Sequence, residues 1–160
     1  MHTISTQQAD FGSIISEVNR CIQICADGER GYAISAADAR SPVLKALFLE
    51  KALERSDFVL ALQGAVRDLG GLPIEGTERF AETKDAEPLR WSDGRFENRT
   101  DRMILEDCER GEQAAQKAYT KAFLRASLET LPRDVRLLMH HQHETIQSAV
   151  EEARSYLELH

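Results

Sequence analysis

Residues 11–36 read FGSIISEVNRCIQICADGERGYAISA. Phe11, Ile15, Val18, Ile22, Cys25, Glu29, Tyr32 and Ala36 follow one another at steps that alternate between four and three, with Ile14 and Cys21 beside them. With 3.6 residues per turn, such steps place side chains on one stripe of an α-helix. A first helix is therefore expected over about 10–37.

Outward from this stretch the same signal recurs three times. Ser41-Pro42 opens a second helix. A serine hydroxyl suits the N-cap, where it accepts an orphan N–H, and proline suits the first helical position. The stripe runs through Leu44, Leu47, Phe48, Phe58, Leu62, Val66 and Leu69, and Gly70-Gly71 stops it, giving a helix over about 42–69. Leu105, Cys108, Glu112, Ala115, Tyr119, Ala122 and Ala126 mark a third helix over about 101–129. Thr130-Leu131-Pro132 starts a fourth over about 132–157, with Val135, Leu138, Met139, Gln142, Thr145, Ile146, Ala149, Ala153 and Tyr156 as its seam.

Between the second and third helices the pattern fails. Residues 70–100 hold Pro73, Gly76, Pro88 and Gly94, mixed charges, and the scattered aromatics Phe80, Trp91 and Phe96. A short helical piece is expected at 88–91. A connection this long calls for a reason. It suffices to run back along a helix of about 42 Å, which makes helices 2 and 3 parallel. The expected fold is thus all-α, a ferritin-like antiparallel four-helix bundle with one long crossover, pinned to the bundle's side by its aromatics. All 160 residues fit one such domain.

The two halves look alike. Cys25, Gly28 and Glu29 share their spacing with Cys108, Gly111 and Glu112. A duplicated hairpin would then place Glu29 and Glu112 in similar positions, facing the interior.

Composition narrows the function. A formal net charge of -7 argues against nucleic-acid binding, which needs a concentrated basic face. No stretch approaches the roughly 18 apolar residues of a membrane span. Met1 to Asp10 is polar, without the basic and apolar regions of a signal peptide. Three cysteines make a poor disulfide framework and fit a reducing cytoplasm. Cys21, Cys25 and Cys108 lie on apolar stripes, where a thiol acts as a small hydrophobe. No Walker loop, dinucleotide fingerprint, nucleophile elbow or zinc-protease motif is present, so no complete catalytic motif is found.

Asp27-Gly28-Glu29-x-Gly31-Tyr32, Glu54-Arg55, Leu69-Gly70-Gly71 and Cys108-Glu109-Arg110-Gly111-Glu112, in that order, resemble a bacterial family of ferritin-like four-helix-bundle proteins known chiefly as a domain of unknown function. The resemblance spans residues 10–157. It implies the fold, a bacterial cytoplasmic setting and a link to the ferritin-like superfamily, and no established activity.

Polar residues interrupt the seams at Glu29, Lys51, Glu54, Arg55, Glu112, Gln142 and Thr145. A buried carboxylate must be paired, protonated or metal-bound. One reading is a divalent metal site, iron or manganese, on Glu29, Glu54 and Glu112, with Gln142 as a weaker ligand. Di-iron bundles take one Glu from each of two helices and Glu-x-x-His from the others. Here helix 2 has Glu54-x-x-Asp57, helix 4 has Gln142-x-x-Thr145, and Glu144-x-x-Gln147 lies off the apolar face. The other and weightier reading is a salt-bridge network in which Lys51 and Arg55 neutralise Glu29, Glu54 and Glu112. Tyr32 and Tyr119 sit near the two glutamates, where they serve as core rings, as carboxylate partners or in redox chemistry, the first being the commonest. His140, His141, His143 and Glu144 form a helix flank, read as solvated rather than as a surface metal site. By fold analogy a homodimer is expected.

Overall fold

The computed structural model describes residues 2–76, 91, 99–125 and 131–159, with side chains from residue 12 onward. Its secondary structure is four helices: α1 (His2–Asp38), α2 (Pro42–Asp68), α3 (Asp101–Arg125) and α4 (Arg133–Leu159). α1 starts eight residues earlier than the periodicity indicates, where polar side chains leave no stripe to count. Residues 88–90, 126–130, Phe80 and Phe96 lie outside the described residues, and with them most of the expected short helix and the end of helix 3.

The expected caps of the second helix form, while Thr130, the expected cap of the fourth, lies outside the described residues. Ser41 Oγ accepts from Leu44 N at 3.3 Å, with Pro42 at the first helical position. Beyond Leu69, Gly70 takes a φ of 84°; its N–H bonds Arg67 O and that of Gly71 bonds Val66 O. This is a Schellman ending, and it needs a residue without Cβ in the left-handed region.

Helix directions follow from three sets of contacts. Asp101, at the start of α3, accepts from the backbone N–H of Arg40 and Ser41, at the start of α2. Both helices therefore start at one end of the bundle and run parallel. The α1–α3 pairs Cys25–Tyr119, Tyr32–Glu112 and Ser35–Cys108 step in opposite directions, so α1 and α3 are antiparallel. Arg102 donates to Leu157 O, bringing the end of α4 to the same end of the bundle. The chain from Gly70 to Thr100 must then return the full length, as its length required.

α1 packs on α2 and α3, α3 packs on α4, and α2 and α4 touch sparingly. The core divides in two. Tyr32, Ala36, Leu44, Phe48, Trp91, Ile104 and Leu105 fill the end near the α1–α2 turn. Ile14, Val18, Ile22, Leu62, Val66, Ala122, Met139 and Ile146 belong to the cluster at the other end. Polar side chains occupy the level between them. Among the described residues no helix is long and apolar enough to cross a membrane.

Candidate functional site

Arg55 enters the middle level from α2, with its stem over Gly28 of α1. It is 1% exposed, as is Glu112 of α3. The guanidinium meets the carboxylate in a two-point fork, Nη1 to Oε1 at 2.5 Å and Nη2 to Oε2 at 2.6 Å. Tyr32 of α1 donates its hydroxyl to the same Oε2 at 2.9 Å. The guanidinium carbon also lies 5.8 Å from the Tyr32 ring centre and 5.4 Å from that of Phe58. A planar guanidinium is suited to such a fork and to aromatic faces in a way that lysine is not.

The electrostatics are mutually consistent. Burial is the largest influence on Arg55 and disfavours its charge, but Glu112 and then Tyr32 outweigh it, so its proton is held more tightly than usual. Burial first, then Glu112, pushes Tyr32 well above the usual phenol range, so it stays a donor. Glu112 thus has a charged partner and a hydroxyl partner, which is what a buried carboxylate requires.

Two turns away along α1 and α3 a neutral chain crosses the four helices. Cys25 Sγ lies 3.2 Å from Tyr119 Oη, and Tyr119 donates to Gln142 Oε1 at 2.7 Å. Gln142 Nε2 reaches Phe58 O at a long 3.5 Å. Burial raises the Cys25 thiol to about 11, with Arg55 partly opposing, and raises Cys108 to about 12, with Ser35 opposing. Cys21 is raised well above its usual value, again by burial first. The three thiols are buried, free and protonated at neutral pH, as small hydrophobes.

Of Glu29, Glu54 and Glu112, which the sequence places together, the structure brings Glu54 and Glu112 to one cation, Arg55. Glu29 is only half-buried, on the rim of α1. Glu54 is 36% exposed as a side chain, but its Oε1 is buried, without a hydrogen bond, 3.5 Å from Arg55 Nη2. Lys51 pairs with Glu152 of α4 at 2.8 Å and not with the central glutamates. Gln142 is buried as expected but serves Tyr119, and Thr145 bonds back to His141 O in its own helix. Among the described residues no group of three or more His, Cys, Asp and Glu is arranged to hold a metal ion. His140 and His143 stack on Phe123 and Tyr119, and burial followed by His140 lowers the His143 pKa.

The internal repeat is real in another register. Asp27-Gly28-Glu29-Arg30-Gly31 matches Asp107-Cys108-Glu109-Arg110-Gly111. In each, the Asp is buried and pairs with the Arg three residues on. In each, the Gly faces Trp91, where a Cβ would land on the indole ring. The burial pattern of 27–35 is the same as that of 107–115. Glu29 therefore corresponds to Glu109, and the interior position filled by Glu112 is filled in the first half by Tyr32. This match, identical at four of its five positions, is present in the sequence, and an alignment on the cysteines is offset from it by three residues.

Trp91 also shows how the crossover is held. Its ring sits between α1 and α3, 4.8 Å from that of Tyr32. Arg30 holds Gly76 O at 2.8 Å, and Arg99 bonds Asp38 and Asp107 at 2.8 and 3.1 Å.

Two antiparallel hairpins, a full-length return between them and polar side chains meeting at mid-bundle define a ferritin-like four-helix bundle. The chain belongs to the family described as Domain of unknown function (DUF2383), whose model matches residues 13–124. No curated protein matches it. Among solved structures it is similar to a crystal structure of ferritin like, diiron-carboxylate proteins from Bacillus anthracis str. Ames, at 19% identity and a TM-score of 0.57, over 93% of each chain. At that identity the likeness concerns the fold.

Proposed function

We propose that this chain is a ferritin-like bundle without a metal centre, a non-catalytic module that acts by associating with a protein partner. The observation that carries this reading is the Arg55–Glu112 fork at mid-bundle. Di-iron bundles gather their Glu and His ligands there. Here the one fully buried glutamate of the expected set already has its cation and a hydroxyl donor. A divalent ion about 5 Å from the guanidinium would meet a repulsion of about 7 kcal/mol at an effective dielectric of about 20. The donor set does not fit iron or manganese. The Tyr119–Gln142 pair is neutral and offers one amide oxygen already in use.

The Bacillus anthracis protein is described as diiron-carboxylate, so iron is the rival to test. The experiment is elemental analysis of untagged protein from iron-replete cells, with anaerobic Fe²⁺ and Mn²⁺ titrations followed by thermal melting. The expected result is substoichiometric metal and an unchanged melting temperature. One or two ions held per chain, with the stabilisation that tight binding to the native state must produce, would overturn the reading.

A further inference from the structure

The outward face of α2 is unlike that of the other helices. Val43, Leu49, Leu53 and Leu60 are 65%, 55%, 71% and 64% exposed, and Ala46 beside them is exposed too. At 100° per residue, Leu49, Leu53 and Leu60 fall within one narrow sector. Leu53 points almost directly away from Arg55, which faces the core. Phe48, Phe58, Leu62 and Val66 fill the inward face, so α2 is apolar on both sides. A helix hydrophobic all round is ordinarily covered all round. On α3 and α4 the large exposed apolar residues, Met103, Leu124, Leu137 and Leu159, are far apart along the helices, which is normal for a solvated surface.

Charge says what covers the stripe. Glu50, Glu54, Asp57 and Asp68 form a row along its α4-side edge. Glu50, Asp57 and Asp68 are exposed and Glu54 is partly so. Had a second copy paired α2 antiparallel with itself, each edge would meet its own counterpart, setting Glu50 and Asp57 against like charges. Among the described residues of the crossover, Ile74 touches α2 at Gln63, off this stripe, while Gly76 and Trp91 pack on α1 and α3.

We infer that the outer face of α2 is a docking surface for an amphipathic helix of another protein, with an apolar seam set on Ala46, Leu49, Leu53 and Leu60 and lysine or arginine along the edge that meets Glu50, Glu54, Asp57 and Asp68. This is helix-on-helix recognition, with the seam supplying affinity and the charged edge orientation. The inference rests on the association reading above and names the site and the partner's chemistry.

The test uses the full-length protein and two fluorescent synthetic helical peptides with the same leucine seam, one with lysine edges and one with glutamate edges. Anisotropy titrations at physiological salt should show saturable binding of the lysine peptide and none of the glutamate peptide. The double variant Leu53→Ser/Leu60→Ser, on the surface and expected to keep its circular dichroism, should bind at least about tenfold more weakly. Glu50→Gln/Asp57→Asn should weaken binding and flatten its salt dependence. Leu124→Ser/Leu137→Ser should change nothing. Equal binding by wild type and Leu53→Ser/Leu60→Ser, or binding of both peptides alike, would overturn the docking site. A wild-type dimer in light scattering that Leu53→Ser/Leu60→Ser dissociates would give the face to a second copy, overturning the proposed occupant while leaving the association reading intact. Stoichiometric iron in the elemental analysis overturns that reading separately.

Discussion

Tyr32 and Glu112 hold equivalent places in the two repeated halves of the bundle, and they touch, Oη to Oε2 at 2.9 Å. Arg55 closes on Glu112 from α2, so three of the four helices are joined at one carboxylate.

Arg55→Met should be among the most damaging single substitutions. It leaves Glu112 buried with only a phenol for a partner, at a cost of about 3–5 kcal/mol. Arg55→Met/Glu112→Leu should recover most of that loss, because the unpaired charge causes the damage, not the missing bridge. Urea denaturation of both variants decides it. A double variant no more stable than Arg55→Met would show that the bridge itself is needed.

Tyr32→Phe keeps the ring against Phe48 and Trp91 and deletes one hydrogen bond to a carboxylate. The expected loss is about 1.5–3 kcal/mol. A loss within about 0.5 kcal/mol of zero would mean that Arg55 alone satisfies Glu112.

Trp91 is the single tryptophan, so its fluorescence reports the crossover alone. Gly31→Ala and Gly111→Ala put a methyl where the indole lies. Each should red-shift the emission and destabilise by about 1–3 kcal/mol. Gly64 is also helical but has open space around it, and Gly64→Ala should stabilise by about 0.5–1 kcal/mol without moving the spectrum. An unshifted spectrum in both Gly31→Ala and Gly111→Ala would remove Trp91 from the notch.

The thiols set an alkaline limit. Burial lifts Cys25 from 9.0 to about 11 and Cys108 from 9.0 to about 12. In this range the native state holds protons that the unfolded chain releases. Stability is therefore full below about pH 9 and falls as the pH rises toward 11 and 12. Denaturant midpoints measured from pH 7 upward should decline only past pH 9, and a thiol reagent at pH 8 should modify the three cysteines no faster than the protein opens. Rapid native modification would place a thiol at the surface.

Much of the fold was legible. Ser41-Pro42 and Gly70-Gly71 work through local geometry, and their effect does not depend on what α2 packs against. The length of the crossover was enough to make α2 and α3 parallel, because a chain that long has to go somewhere. The candidate site was legible only in outline. Glu29 lies four residues after Cys25 and three before Tyr32, so spacing admits it to the stripe. A stripe that faces two neighbouring helices is wide, however, and spacing does not separate its centre from its rim. Glu54, one position from Arg55, is another rim residue, with one oxygen buried beside that guanidinium and the side chain 36% exposed.

By itself, then, the sequence determined four helices, both caps of α2, the long return and a polar middle. Which polar groups meet was decided only by the tertiary structure. Pairing between helices depends on how far each is rotated about its axis and slid along its neighbour, and a 3.6-residue period leaves both open by about a turn. Aligning the halves at Cys25 and Cys108 rather than at Asp27 and Asp107 is a slip of three residues, less than one turn. That slip exchanges Glu29 for Tyr32 opposite Glu112. It separates a pair of carboxylates awaiting a metal from a carboxylate already held by a phenol and an arginine.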